Sequence, residues 1–219
     1  MLNNLKQKAI GARAIPIPAD LANVSEIERL VTELSAHTDH VDILFANAGA
    51  SWGAPFEKQP EDAFSKVLNL NVKSIFYTVQ KLQGMLRKRA SVGNPSTVII
   101  NSSAAGVAVG TLGENGTHGY SVSKAAAVHL AKILAVELGP RAINTNAICP
   151  GFFPTKMSGG LIHLEGGLAS QAARTPNGRL GQPADLAGLV VFLASPAASH
   201  INGAVIALDG GAHLGGGKL

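Results

Sequence analysis

The sequence predicts a single α/β domain built as a doubly wound parallel sheet. Short apolar runs of strand length alternate with longer segments of helical periodicity, the pattern of parallel strands covered by crossover helices on both faces. Two of those runs, "VDILFANAG" (41–49) and "STVIINSS" (96–103), are apolar at consecutive rather than alternating positions, as strands buried on both faces are. With 219 residues, 46% hydrophobic and 15% charged, the chain can bury one full core and is short for two.

"ARAIPIPA" (12–19) reads as a short strand despite Pro16 and Pro18. The following "DLANVSEIERLVTELSAH" carries Val24, Ile27, Leu30, Val31 and Leu34 at helical spacing. "VDILFANAG" reads as a fully buried strand closed by small residues. A long helix then runs through "PEDAFSKVLNLNVKSIFYTVQKLQGMLRKR", with Pro60 near its start and positive charge at its end, as the helix dipole favours. "STVIINSS" is the next strand. "YSVSKAAAVHLAKILAVELG" is a helix that Gly139 and Pro140 should end. "AINTNAICPG" (142–151) is another strand, followed by an open Gly-containing loop from Phe152 to Gly181 that has the length of a lid. "PADLAGLVVFLAS" is a helix opening on Pro183, and "GAVIALDGG" is the closing strand.

Composition narrows the function classes. The formal charge is +4, but "RKR" at 87–89 is the only dense basic run and has few aromatic neighbours for base stacking, so no nucleic-acid partner is expected. Apolar stretches such as "LVVFLA" (189–194) are far too short to span a bilayer, and "MLNNLKQKAIG" has no apolar signal core. A single cysteine, Cys149, excludes a disulfide framework and suits a reducing compartment, which makes the cytoplasm the expected location. The final "GKL" stands one residue from a peroxisomal address, the alternative location. No cluster of His, Cys and carboxylates has metal-ligand spacing.

Two tyrosine–lysine pairs share the same four-residue spacing: Tyr120 with Lys124 in "YSVSK", and Tyr77 with Lys81 in "YTVQK". Both place the two side chains on one helix face. Only the first begins a helix on the side where the strands end in "ANAG", "NSS", "CPG" and "LDGG". Ligands of such sheets bind outside the carboxyl ends of the strands.

Taken together, the motifs resemble the short-chain dehydrogenase/reductase family in its ordinary soluble type, with its Rossmann-like fold. The resemblance covers almost the whole chain. It rests on "DL" at 20–21, "NAG" at 47–49, Asn71 in "LNLNVKSIF", "NSSAAG" at 101–106, "YSVSK" at 120–124, "PGFFPT" at 150–155 and "DGG" at 209–211, in the family's order. It implies a catalytic set of Asn71, Ser103, Tyr120 and Lys124, with Ser102 the competing serine. Hydride transfer to a carbonyl needs a proton donor at the developing alkoxide, and a free phenol at pKa about 10 is poorly matched to neutral pH. A lysine ammonium one turn away should lower that pKa. Ser103 would hold the substrate oxygen, and Asn71 would position a water linking the lysine to solvent. By the same resemblance, Asp20 and Leu21 meet the adenine, with Asp20 also the expected N-cap of its helix. Asn47, Ala48 and Gly49 approach the ribose, Lys124 and Tyr120 the nicotinamide ribose, and Pro150, Gly151 and Thr155 the nicotinamide end of NAD or NADP. Ser103 precedes Tyr120 by seventeen residues, a longer interval than the family usually shows, and "TLGENGTHG" is expected to carry the extra residues as a surface loop.

The family's first strand, Gly-rich turn and helix have no counterpart here. The chain is therefore expected to lack a first βαβ unit of roughly 35–45 residues. That unit carries the cradle for the cofactor pyrophosphate, so weak NAD(P) binding follows, with "VDILFANAG" left as an apolar edge. The expected activity is hydride exchange between NAD(P)(H) and a small carbonyl compound or secondary alcohol; the alternative is a non-catalytic relative that acts through association. A homodimer or homotetramer is expected, paired through the helices containing Asn71 and Tyr120 and through the last strand.

Overall fold

The apolar runs pair side by side as parallel strands. The computed structural model describes residues 13–164 and 166–215. In it β1 (Ile43–Ala46), β2 (Ser96–Asn101), β3 (Ile143–Pro150) and β4 (Val205–Leu208) form a sheet in the order β1-β2-β3-β4, every pair parallel. Parallel neighbours need crossovers, and helices supply them. α1 (Val24–Ser35) precedes β1. α2 (Glu61–Leu68) and α3 (Ser74–Arg87), joined by a π-helical turn at Asn69–Lys73, lead to β2. α4 (His118–Leu138) leads to β3, and α5 (Lys156–Leu164), α6 (Gly167–Arg174) and α7 (Pro183–Leu193) lie between β3 and β4.

The consecutive apolar residues of β2 and β3 serve two cores. Val98, Ile100, Ile143 and Ala147 meet Leu82 and Leu86 of α3 and Leu130 and Leu134 of α4. Ile99 and Ile148 face the other way, onto Leu193 of α7. Each large aliphatic side chain removed from water contributes about 1.5–3 kcal/mol, so this double burial holds the strand ends in register. Among the described residues, no helix is long and apolar enough to cross a membrane.

Three expectations need correction. Residues 13–20 form no strand: Pro16 and Pro18 remove two N–H donors that a ladder would use, and position 12 lies outside the described residues. β1 is the outer strand among the described residues, as the edge expectation has it and not the fully buried strand that its apolar run alone suggests, and Ile43 is 48% exposed. The segment 152–181 is not an open loop but carries α5 and α6. Its glycines are outweighed by helix formers such as the "LASQAAR" of α6.

Candidate active site

Parallel pairing brings every strand's carboxyl end to one edge of the sheet, and α4 begins over that edge. Tyr120 and Lys124 lie one turn apart near its start. Lys124 is buried, 5% exposed, and its Nζ donates to the Asn101 carbonyl at 2.8 Å, 5.6 Å from the Tyr120 ring centroid. Burial pulls the Lys124 pKa down to about 8. Burial also pushes the Tyr120 phenol above its usual value, with a hydrogen bond to the Ser103 side chain working against that rise. This corrects the expected lowering by lysine. The ammonium lies against the ring and gives a hydrogen to a main-chain carbonyl, so desolvation of the phenol dominates.

Strand geometry separates the two serines that end β2. Ser102 is buried, and its Oγ donates to the Lys124 carbonyl at 2.8 Å, fastening α4 to the strand end. Ser103 lies beside the Tyr120 phenol, where it works against the rise in the phenol's pKa, and its Oγ accepts the Ala105 N–H at 3.2 Å.

Asn71 sits in the π turn, fully buried. Such turns are rare and occur frequently at functional sites. Its amide donates to the Ala50 carbonyl (2.9 Å) and to Ser123 Oγ (2.9 Å), and its Oδ1 accepts the Ala50 N–H at 2.8 Å. Both amide hydrogens are thus committed within the protein. The side chain pins the loop after β1 to α4. In that loop a Cβ on Gly49 would stand 3.2 Å from Asn71 Oδ1 and 3.6 Å from Lys124 Nζ, which leaves open backbone beside the lysine. Asn47 and Ala48 are exposed at the same strand end.

Asn101 was not foreseen. Its Nδ2 donates to Asn47 Oδ1 at 2.7 Å, and its Oδ1 is buried without a hydrogen-bond partner among the described residues. The sequence signal for it is its place as the first residue of "NSS", at the end of a buried strand. A buried acceptor without a donor, beside an amine and an open glycine, fits the hydroxyls of a cofactor ribose.

The remaining candidates are more scattered. Asp20 is exposed and caps its own turn, accepting from the Ala22 N–H (3.1 Å) and Asn23 Nδ2 (2.8 Å). The N-cap of α1 is Asn23 rather than Asp20, because the helix starts three residues later than the sequence signal. Leu21 is half-buried beside it. Pro150 ends β3, and Gly151 follows it at the reactive edge. Thr155 Oγ1 accepts the Ser158 N–H at 3.2 Å and so begins α5. Tyr77 stacks edge-on against Phe76, while Lys81 pairs with Glu28 at 2.6 Å, far from any strand end. The "TLGENGTHG" segment is exposed at Leu112 but fastened at its far side, where the Gly116 carbonyl accepts the Ala54 N–H at 3.1 Å.

Comparison with known proteins gives this geometry a family. Residues 3–213 match the family model described as enoyl-(acyl carrier protein) reductase. The chain is 41% identical over 198 residues to the rhamnolipids biosynthesis 3-oxoacyl-[acyl-carrier-protein] reductase of Pseudomonas aeruginosa, covering 90% of this chain and 76% of that protein. It is 34% identical over 197 residues to the 3-oxoacyl-[acyl-carrier-protein] reductase FabG of Vibrio harveyi, covering 88% and 76%. Among solved structures, the P. aeruginosa RhlG/NADP active-site complex superposes with a TM-score of 0.83 at 41% identity, covering 90% of this chain and 76% of that one. A short-chain type dehydrogenase/reductase from Mycobacterium marinum gives 0.86 at 29% identity, covering 96% and 79%.

Proposed function

The chain belongs to the short-chain dehydrogenase/reductase family and is an NAD(P)-dependent oxidoreductase; from that premise we propose that Tyr120, Ser103 and Lys124 carry its proton chemistry. The observation that supports this reading is the buried Lys124, its Nζ 5.6 Å from the centroid of the Tyr120 ring, with Ser103 beside the phenol at the end of β2. Bound NAD(P)H supplies the hydride. The Tyr120 O–H, protonated at neutral pH, donates to the carbonyl oxygen as negative charge develops there. Ser103 holds that oxygen and fixes the direction of the phenol hydrogen. Lys124, charged below about pH 8, stabilises the phenolate that remains. Asn71 keeps the loop bearing Gly49 against α4, so the ribose side of the site keeps its shape.

Asn101 Oδ1, Lys124 and the backbone at Gly49 would hold the ribose, and Gly151 and Thr155 the nicotinamide end. The named relatives make NADPH the first cofactor and a 3-oxoacyl thioester the first substrate to test. β1 is the side on which a pyrophosphate-binding unit would join. Self-association is part of the same reading. Val122, Ile133 and Val136 make one exposed apolar stripe along α4, at 53%, 51% and 81% exposure, suited to a second copy of the chain. Cys149, buried in β3, fits a reducing compartment such as the cytoplasm.

The decisive experiment compares Tyr120→Phe with Tyr77→Phe in NADPH-dependent carbonyl reduction. Loss of the acid should cost about 10²–10⁴-fold at Tyr120 and almost nothing at Tyr77. Equal losses would sink the assignment.

A further inference from the structure

The turn after β4 holds a buried carboxylate that the chemistry at Tyr120 does not use. The Asp209 side chain is 2% exposed, and the His213 ring against it 23%. Asp209 Oδ1 accepts the Gly211 N–H at 3.0 Å, and Oδ2 accepts both the His213 N–H and His213 Nδ1, each at 2.8 Å. An ionised carboxylate only accepts, so Nδ1 carries the ring proton. Burial alone would raise the Asp209 pKa, but bonds from His213 and Gly211 outweigh it and hold the carboxyl below its usual range.

Two loops converge on this turn. The Gly151 N–H donates to the Leu208 carbonyl at 3.1 Å, and a Cβ on Gly151 would stand 2.6 Å from Asp209 Cβ. Position 151 is glycine because Asp209 fills the space of its side chain. From the other end of the α5–α6 segment, the Asn177 N–H donates to the Gly210 carbonyl at 3.3 Å. The Gly181 N–H closes the base of that segment on the Phe152 carbonyl at 3.0 Å. The entry to the segment and its exit are therefore both seated on residues 208–211, and among the described residues the His213 ring joins the main-chain N–H groups of 211 and 213 in holding Asp209.

We propose that Asp209 and His213 form a clasp that positions the 150–155 and 175–178 loops, making His213 a positioning residue for the nicotinamide side of the site. The nicotinamide half of this statement rests on the proposed function above; the mechanical half does not. Without the ring, Asp209 Oδ2 keeps one protein donor where it had two. The turn then keeps only the main-chain N–H groups of 211 and 213 on Asp209, and the seat shared by both loops is held less tightly.

Hydrogen–deuterium exchange of the full chain tests this in His213→Ala and His213→Asn. Alanine should speed exchange in 150–155 and 175–178 by about tenfold, the value of a hydrogen bond to a charged group, with β2 unchanged. Asparagine, whose Nδ2 can replace the lost donor, should return both loops toward the wild-type rate. Unchanged loops in the alanine variant, an equal rise in β2, or no recovery with asparagine would each overturn the clasp. A second arm adds millimolar NADPH, which should slow exchange of 150–155 in the wild type and fail to do so in His213→Ala. If NADPH binds the wild type, as read by its fluorescence, and the loop ignores it, the nicotinamide assignment fails, and the first arm still decides the clasp.

Discussion

Replacing Lys124 by methionine separates the cost of burying an ammonium from its use. The side chain is 5% exposed, its Nζ bonds the Asn101 carbonyl, and its pKa falls from 10.5 to about 8 through burial. At about 1.4 kcal/mol per unit, that gap is a penalty of about 3 kcal/mol on the folded state at neutral pH. Because the folded pKa lies below the unfolded one, the unfolded chain binds the extra proton between about pH 8 and 10.5. Stability due to this group therefore rises with pH across that window. Below it the full penalty stands, and above it the penalty vanishes. Methionine removes the charge but deprives the Asn101 carbonyl of a donor, which costs about 1 kcal/mol. The variant should thus be about 2 kcal/mol more stable at pH 7, or about 4–8 °C in Tm for a chain of this length, while losing turnover. Urea midpoints at pH 7, 8, 9 and 10 read the effect as a difference between the two proteins. Burial also raises Cys149 and Tyr120, and because Cys149 and Lys124 act on one another the difference is read in a Cys149→Ala background. The advantage should shrink steadily above pH 8 and reverse near pH 10. A difference that stays constant or grows with pH would refute the reasoning.

Two further outcomes follow from the surfaces of the sheet and of α4. Ile133→Arg, at the middle of the exposed apolar stripe, should shift the chain to monomer in light scattering at micromolar concentration, while a serine at exposed Ser25 of α1 changed to arginine should not. NADPH should bind the 219-residue chain at least about a hundredfold more weakly than the same chain extended by a βαβ unit with a Gly-rich turn, because several charge-assisted bonds to the pyrophosphate are at stake. Equal affinity by fluorescence titration would mean that the phosphates find donors elsewhere.

The order of elements was legible because it depends on local periodicity. β2, β3, α4 and α7 fall within two or three residues of their sequence limits, since consecutive apolar residues in a run of strand length suit a strand buried on both sides. The two helices within 152–181 were hidden by glycines, and the absent strand at 13–20 was masked by alternating isoleucines between prolines. In both places a local signal pointed one way and backbone hydrogen bonding decided the other.

By itself, the sequence determined that Tyr120 and Lys124 share a helix face near the strand ends, because helical spacing is a short-range property. The same rule applied equally to Tyr77 and Lys81, and only the tertiary structure told the pairs apart, by burying one lysine and pairing the other with Glu28 at the surface. Packing alone turned Ser103 rather than Ser102 toward the phenol, and joined Asn71 to Ala50 and Ser123, 21 and 52 residues away. It also reversed the expected shift of the tyrosine. Spacing says which side chains can meet, but a pKa depends on how much water the fold removes around them and on which donors it leaves within reach.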